Sequence, residues 1–149
     1  EVQAQMSEIT IGALSKRSGV KIPTIRYYET IGLMDEPPRT AGGQRRYLDH
    51  HLQRLRFIRH GRDLGFSLED LRALQSLSDN PDQSCEAADA IASQQLVEVE
   101  RRLKGLRALR SELKRMVQSC AHGTVGECRV IETLSDHSLC NHAHWKPEN

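Results

Sequence analysis

A chain of 149 residues, 28% of them charged and 4% aromatic, can bury one small core plus an extended element, or two small lobes, and little more. Its formal charge of +1 hides a gradient: between residues 9 and 65 eleven lysines and arginines face five acids, a local net charge of +6 that would draw a phosphate backbone to that end. No apolar run approaches a membrane span and no cleavable leader opens the chain, which excludes a membrane-embedded class and points to the cytoplasm; Met6 reads as the natural start, so residues 1–5 are left out of the fold.

The first predicted helix runs from Thr10, a candidate N-cap, through Ile11 and Leu14 on one face to Gly19 as its stop. A second runs from Lys21 to Gly32, with Pro23 where an early helical position tolerates it and Ile25 and Tyr28 at helical spacing. Two short helices joined by a Gly-Val turn make a helix-turn-helix. Tyr28 shares the face of Ile25 and is assigned to the core, which leaves Tyr27 to offer its hydroxyl to a phosphate.

Pro37 and Pro38 interrupt the next stretch, and the run Ala41-Gly-Gly-Gln-Arg-Arg-Tyr47 suits a hairpin or wing with a basic tip. A third helix is expected over about residues 48–64, with Leu52, Leu55, Phe57 and Ile58 apolar. Ser67-Leu-Glu-Asp70 resembles a capping box opening a fourth helix that ends near Leu77. His50, His51 and His60 lie on the third helix without accompanying cysteines or carboxylate clusters. They read as exposed or phosphate-facing side chains rather than ligands.

From Cys85 to Cys120 the chain has no proline, and Ala92, Leu96, Val99, Leu103, Leu106, Leu113, Val117 and Cys120 follow an alternating spacing of four and three, broken at Arg110. Such a stripe, with no nearby segment to cover it, predicts pairing with a second copy of the same helix; the plainer alternative is a helix packed only on its own first lobe. Cys85 and Cys120 lie thirty-five residues apart, so a continuous helix separates them by roughly 50 Å. They cannot ligate one ion within one chain. In an antiparallel dimer, Cys85 of one chain meets Cys120 of the other, giving two equivalent sites.

Beyond Cys120, seven residues that include Gly123 and Gly126 lead to Cys128, so the loop can turn both thiols toward one ion, with His122 as a further donor. Structural zinc or two incidental thiols is the alternative for the loop pair alone. Cys140, His142 and His144 could complete or neighbour this site, or belong to a tail without a ligand role. In a reducing compartment, cysteines beside histidines favour metal over disulfides. The chain shows no nucleophile elbow, phosphate-cradling glycine loop or zinc-protease helix motif, so an enzyme is not expected.

The runs Ile25-Arg-Tyr-Tyr-Glu-Thr-Ile-Gly-Leu33, Gly43-Gln-Arg-Arg-Tyr47 and Leu55-Arg-Phe-Ile-Arg59 resemble the MerR family, and with the long helix and cysteine loop the likeness covers about residues 8–134. The resemblance implies a mostly α fold: a winged helix-turn-helix DNA-binding domain over residues 6–79, an antiparallel coiled-coil dimerisation helix over 80–120, and a metal-binding loop and tail over 121–149. It implies a homodimer on double-stranded promoter DNA whose two polymerase-recognition elements are too widely spaced, and which the metal-bound protein bends and untwists for RNA polymerase. By motif position, Lys16, Arg17, Thr24, Arg26 and Tyr27 would meet DNA, and Arg45, Arg46 and Tyr47 would grip phosphates. Family members for divalent ions carry the extra cysteine that is Cys85 here. A third thiolate suits zinc, cadmium or lead, with mercury also fitting. The alternatives are a mercury or monovalent-copper sensor, or a redox- or small-molecule-responsive regulator, which would want a tighter cysteine cluster.

Overall fold

A computed structural model of the chain describes residues 8–119 and 123–140. Its regular elements are helical: α1 (Ile11–Ser18), α2 (Ile22–Thr30), α3 (Asp49–Asp63), α4 (Leu68–Ser78), α5 (Glu86–Gln118) and α6 (Arg129–Ser135), with single turns of 3₁₀ helix at Val125–Glu127 and His137–Leu139. The chain divides into two compact units, one ending at Ile91 and the other beginning at Ala92.

In the first unit the helix ends follow the expected chemistry. Thr10 Oγ1 accepts the Ala13 N–H at 3.3 Å to cap α1. Gly19 then stops it with φ of 71°, and a Cβ there would run into the Arg59 guanidinium, whose Nη1 donates to the Ser18 carbonyl at 2.8 Å. Only glycine satisfies both the left-handed backbone and that close approach. Pro23 sits in the first turn of α2, where its missing N–H costs nothing. At α4, Ser67 and Asp70 cap reciprocally: the Ser67 hydroxyl accepts the Asp70 N–H and the Asp70 carboxylate accepts the Ser67 N–H, each at 3.0 Å.

The core is built by Leu14 of α1, Ile25 and Tyr28 of α2, Leu52, Leu55 and Ile58 of α3 and Leu71 of α4, joined by Ile9, Val20, Leu33, Met34 and Tyr47. Gly61 lets α3 and α4 approach closely, since a Cβ there would overlap the Leu71 side chain. The expected wing is a short antiparallel excursion in which Arg39 bridges to Arg45 and Thr40 N–H donates to the Gln44 carbonyl at 2.8 Å. Its returning strand is tied to the start of the described chain by paired hydrogen bonds between Ile9 and Tyr47, at 2.7 and 2.9 Å. Among the described residues these bridges are the only sheet-like pairing.

Helix α5 is continuous for 33 residues, a length of about 50 Å. The Asp89 N–H donates to the Cys85 carbonyl at 2.9 Å, which places Cys85 immediately before its first turn. Within the second unit the apolar stripe is left uncovered: Leu96, Val99, Leu103, Leu106, Leu113 and Val117 are between 43% and 70% exposed. Toward its C-terminal end Glu112 and Met116 are buried. Glu112 pairs with Arg115, and Arg115 Nη2 also donates to the Leu139 carbonyl at 2.7 Å, fixing the turn before Cys140 against the helix.

Candidate nucleic-acid interface and thiol sites

The eleven cations of the basic segment do not contribute equally to a surface potential, because the fold pairs many of them internally. Arg54 lies 3.2 Å from Asp35 and 3.7 Å from Asp79, Arg39 lies 3.8 Å from Glu36, and Arg59 lies 3.9 Å from Asp63. Arg62 Nη1 donates to the Phe66 carbonyl at 2.6 Å. By contrast, Lys16, Arg17, Lys21 and Arg26 are exposed, and among the described residues none has a carboxylate within ion-pair distance. Uncompensated charge therefore lies on α1 and α2, the helix-turn-helix itself, and also on α3, where Arg56 is exposed without a carboxylate partner among the described residues and Arg62 meets only a neutral carbonyl. Lys16 and Arg17 also occupy the last turn of α1, where they complement the helix dipole.

On α2, Tyr27 is 51% exposed and Tyr28 is buried, as their spacing implied. Arg26, one position before Tyr27, is exposed, and Thr24 is half-buried. The surface of α2 thus presents a cation and a phenol side by side, a combination suited to phosphate and base contacts.

The wing is arranged differently from expectation at one residue. Tyr47 is fully buried, its hydroxyl donates to Glu29 Oε1 at 2.5 Å, and its ring meets His51 edge-on at 5.6 Å between centroids. Burial first, then the bond to Glu29, holds its phenol well above the ordinary range, so it is a neutral donor. Tyr47 is a core residue, not a phosphate contact. Four residues beyond Gly43 at the turn, Tyr47 alternates inward with the pleat while Arg46 alternates outward, and the sequence alone did not reveal this inward turn.

His51 is likewise corrected. It is buried rather than exposed, and its Nδ1 accepts the Leu48 N–H at 3.0 Å, closing the first turn of α3. Burial and the adjacent His50 ring, 3.9 Å away between centroids, lower its pKa. His50 and His60 are exposed.

Arg45 and Arg46 are each about a third exposed. Arg45 Nε lies 3.3 Å from Glu29 Oε2, and Arg46 Nε lies 3.4 Å from Glu8 Oε2. Neither Nε is aligned well enough to count as hydrogen-bonded, so these are ion pairs and not directed bonds. Glu29 was not singled out in the sequence; its neighbours in the Arg26-Tyr-Tyr-Glu29 run drew the attention, yet its carboxylate is buried and serves two wing residues.

The described thiols Cys85, Cys128 and Cys140 are all free. Cys85 is exposed, while Cys128 is half-buried and its carbonyl accepts the Glu132 N–H at 3.0 Å to start α6. Cys140 follows the turn held by Arg115. Among the described residues no three cysteine, histidine or carboxylate groups gather into a metal cage within the single chain. The expected ligands Cys120, His122, His142 and His144 lie outside the described residues. A free, exposed thiol at the head of a long helix is chemically fit to complete a soft-ion site with donors from elsewhere.

Comparison with known proteins identifies the family. The family model for MerR HTH family regulatory proteins matches residues 9–77, and that described as MerR, DNA binding, matches residues 52–116. The HTH-type transcriptional regulator ZntR of Escherichia coli (strain K12) is 42% identical over 128 residues, covering 83% of this chain and 90% of its own. The heavy metal-dependent transcription regulator 2 of Rhizobium meliloti (strain 1021) is 35% identical over 130 residues, covering 87% of this chain and 88% of its own. The crystal structure of the transcription regulator PbrR691 from Ralstonia metallidurans CH34 in complex with lead(II) shares 37% identity, covers 85% of this chain and 98% of its own, and superposes with a TM-score of 0.71.

Proposed function

The chain belongs to the MerR family of helix-turn-helix transcriptional regulators, and from that premise we propose that it is a homodimeric, metal-responsive activator of metal-resistance or efflux genes. It is a DNA-binding regulator and not an enzyme. The single observation that carries the reading is the free, exposed Cys85 at the head of a 33-residue helix whose apolar stripe lies uncovered. An uncovered stripe of that length is supported best as an interface with a second copy in antiparallel orientation. Such pairing brings Cys85 of one chain to the partner's loop.

On this reading the ion is held by Cys85 from one chain and Cys120 and Cys128 from the other, with His122 as a further donor and Cys140, His142 and His144 as candidates for a neighbouring site. Three thiolates suit zinc, cadmium or lead, and a relative sharing 37% identity is known in complex with lead(II). Ion binding across the two chains would tie the ends of both α5 helices together. The HTH units, whose free cations Lys16, Arg17 and Arg26 lie on α1 and α2, would then distort promoter DNA so that RNA polymerase engages it.

The test is titration of the reduced protein with Zn, Cd, Pb, Hg and Cu(I). Affinity is read together with transcription from a promoter selected by the protein in vitro. Cys85→Ser is expected to lose divalent-ion affinity and response together. Unchanged affinity and response for every divalent ion would overturn the shared site.

A further inference from the structure

Glu29 sits on α2, three residues beyond Arg26, with its side chain only 6% exposed. Its two oxygens are divided between two wing residues: Oε1 accepts the Tyr47 hydroxyl at 2.5 Å, and Oε2 faces Arg45 Nε at 3.3 Å. Burying a carboxylate is costly unless its lone pairs are occupied by donors or cations. Here the phenol supplies one and the guanidinium the other. Arg45 Nε is itself fully buried, while the Arg45 side chain as a whole keeps 30% of its surface. The exposed part is therefore the remainder of the side chain, away from Nε.

A guanidinium is a planar fork of five N–H donors that can face an acceptor on one side while others stay free. With its Nε buried 3.3 Å from the Glu29 carboxylate, Arg45 is held near α2 by charge and burial rather than by a directed bond, and it sweeps less freely than an isolated surface arginine would. Its exposed end is thereby confined, and less conformational freedom is lost when it meets an anion.

We propose that Glu29 is a positioning residue for DNA binding: it anchors the wing to α2 and aims Arg45 at a backbone phosphate of the same duplex that α2 engages. Arg45, so held, contributes one phosphate contact, and Tyr47 contributes stability alone. The proposal rests on the DNA-binding reading of the helix-turn-helix and adds to it a residue that touches no DNA.

The experiment measures binding of the metal-free full-length protein to a short mixed-sequence double-stranded DNA across a series of salt concentrations. Phosphate contacts set the slope of affinity against salt, and losing one lowers that slope by about one. Arg45→Ala, Glu29→Gln and Arg45→Lys are each expected to lower the slope by about one. The lysine keeps the charge but has no second edge to present to Glu29. Combining Glu29→Gln with Arg45→Ala should lower it no further than either alone, as expected if one acts through the other. Tyr47→Phe should reduce thermal stability and leave the slope where it was.

A slope unchanged in Arg45→Ala, or retained in Arg45→Lys, would overturn the proposal. So would a Tyr47→Phe slope that falls in step with its stability, because that would make the effect general loosening of the fold. These outcomes leave the DNA-binding reading standing if the unmodified protein binds with a steep salt dependence. Failure of the unmodified protein to bind the duplex at all would overturn both.

Discussion

Replacing Leu106 with alanine tests whether the stripe on α5 is an interface. In the single chain Leu106 is 49% exposed, so a partner helix has about half of the side chain left to cover. Full burial of a leucine is worth about 1.5–3 kcal/mol, which makes the remaining half worth about 1 kcal/mol. A two-fold dimer contains the residue twice, giving about 2 kcal/mol, or roughly a 30-fold rise in the dimer dissociation constant. Sedimentation equilibrium of the metal-free protein over a range of concentrations reads this directly. Val97→Ala is the matched control: Val97 is 66% exposed on the same helix but lies off the stripe, and should leave association unchanged. If Leu106→Ala shifted the equilibrium no more than Val97→Ala, the stripe would not be the dimer interface.

Other consequences follow from the first unit. Tyr47→Phe removes a hydroxyl bonded to a buried carboxylate and should lower stability to urea by about 2 kcal/mol, the usual range for a hydrogen bond to a charged group; a change within about 0.5 kcal/mol, typical of an inert surface site, would contradict its placement. Gly61→Ala should gain up to about 1 kcal/mol of helix propensity and lose more by overlapping Leu71, a net loss of about 1 kcal/mol by thermal melting; a stabilised variant would show that α3 and α4 do not approach so closely. His51, a base whose pKa is lowered by folding, binds fewer protons folded than unfolded. Its contribution is complete above the ordinary imidazole value of about 6.5 and declines as the pH falls below it toward the lowered folded value. Denaturation of His51→Asn, whose side-chain oxygen can still accept from Leu48, should show a flatter decline over that window than the unmodified protein.

Much of the first unit was legible because local chemistry decides it. Thr10, Gly19, Pro23, Gly32 and Ser67 mark helix ends by capping or backbone preference, and the structure places the ends within a residue or two of them. Tyr27 and Tyr28 were separable because one helical face must pack and the next position cannot. The inward turn of Tyr47 was not legible, since a wing with two isolated bridges has too short a period to reveal which side chains alternate toward the core. Nor was the pairing of the cations. Composition counts Arg45, Arg54 and Arg59 alongside Arg26, whereas the fold gives the first three internal partners and leaves Arg26 to solvent. Glu29 escaped notice for the same reason: a carboxylate's burial and its partners, 16 and 18 residues away in sequence, exist only after the wing folds back.

The central claim is a metal site that requires two chains, and mixed dimers test it most directly. A chain carrying Cys85→Ser keeps its loop thiols, and a chain carrying Cys120→Ser with Cys128→Ser keeps Cys85. Neither alone can form the proposed site as a homodimer. Refolded together, the heterodimer regains one intact site of the two, because Cys85 of one chain meets the loop of the other. Cadmium binding measured by its thiolate charge-transfer absorption should return in the mixed dimer to half the stoichiometry of the unmodified protein. A mixed dimer that binds no more than either parent would place the site within a single chain and contradict the account.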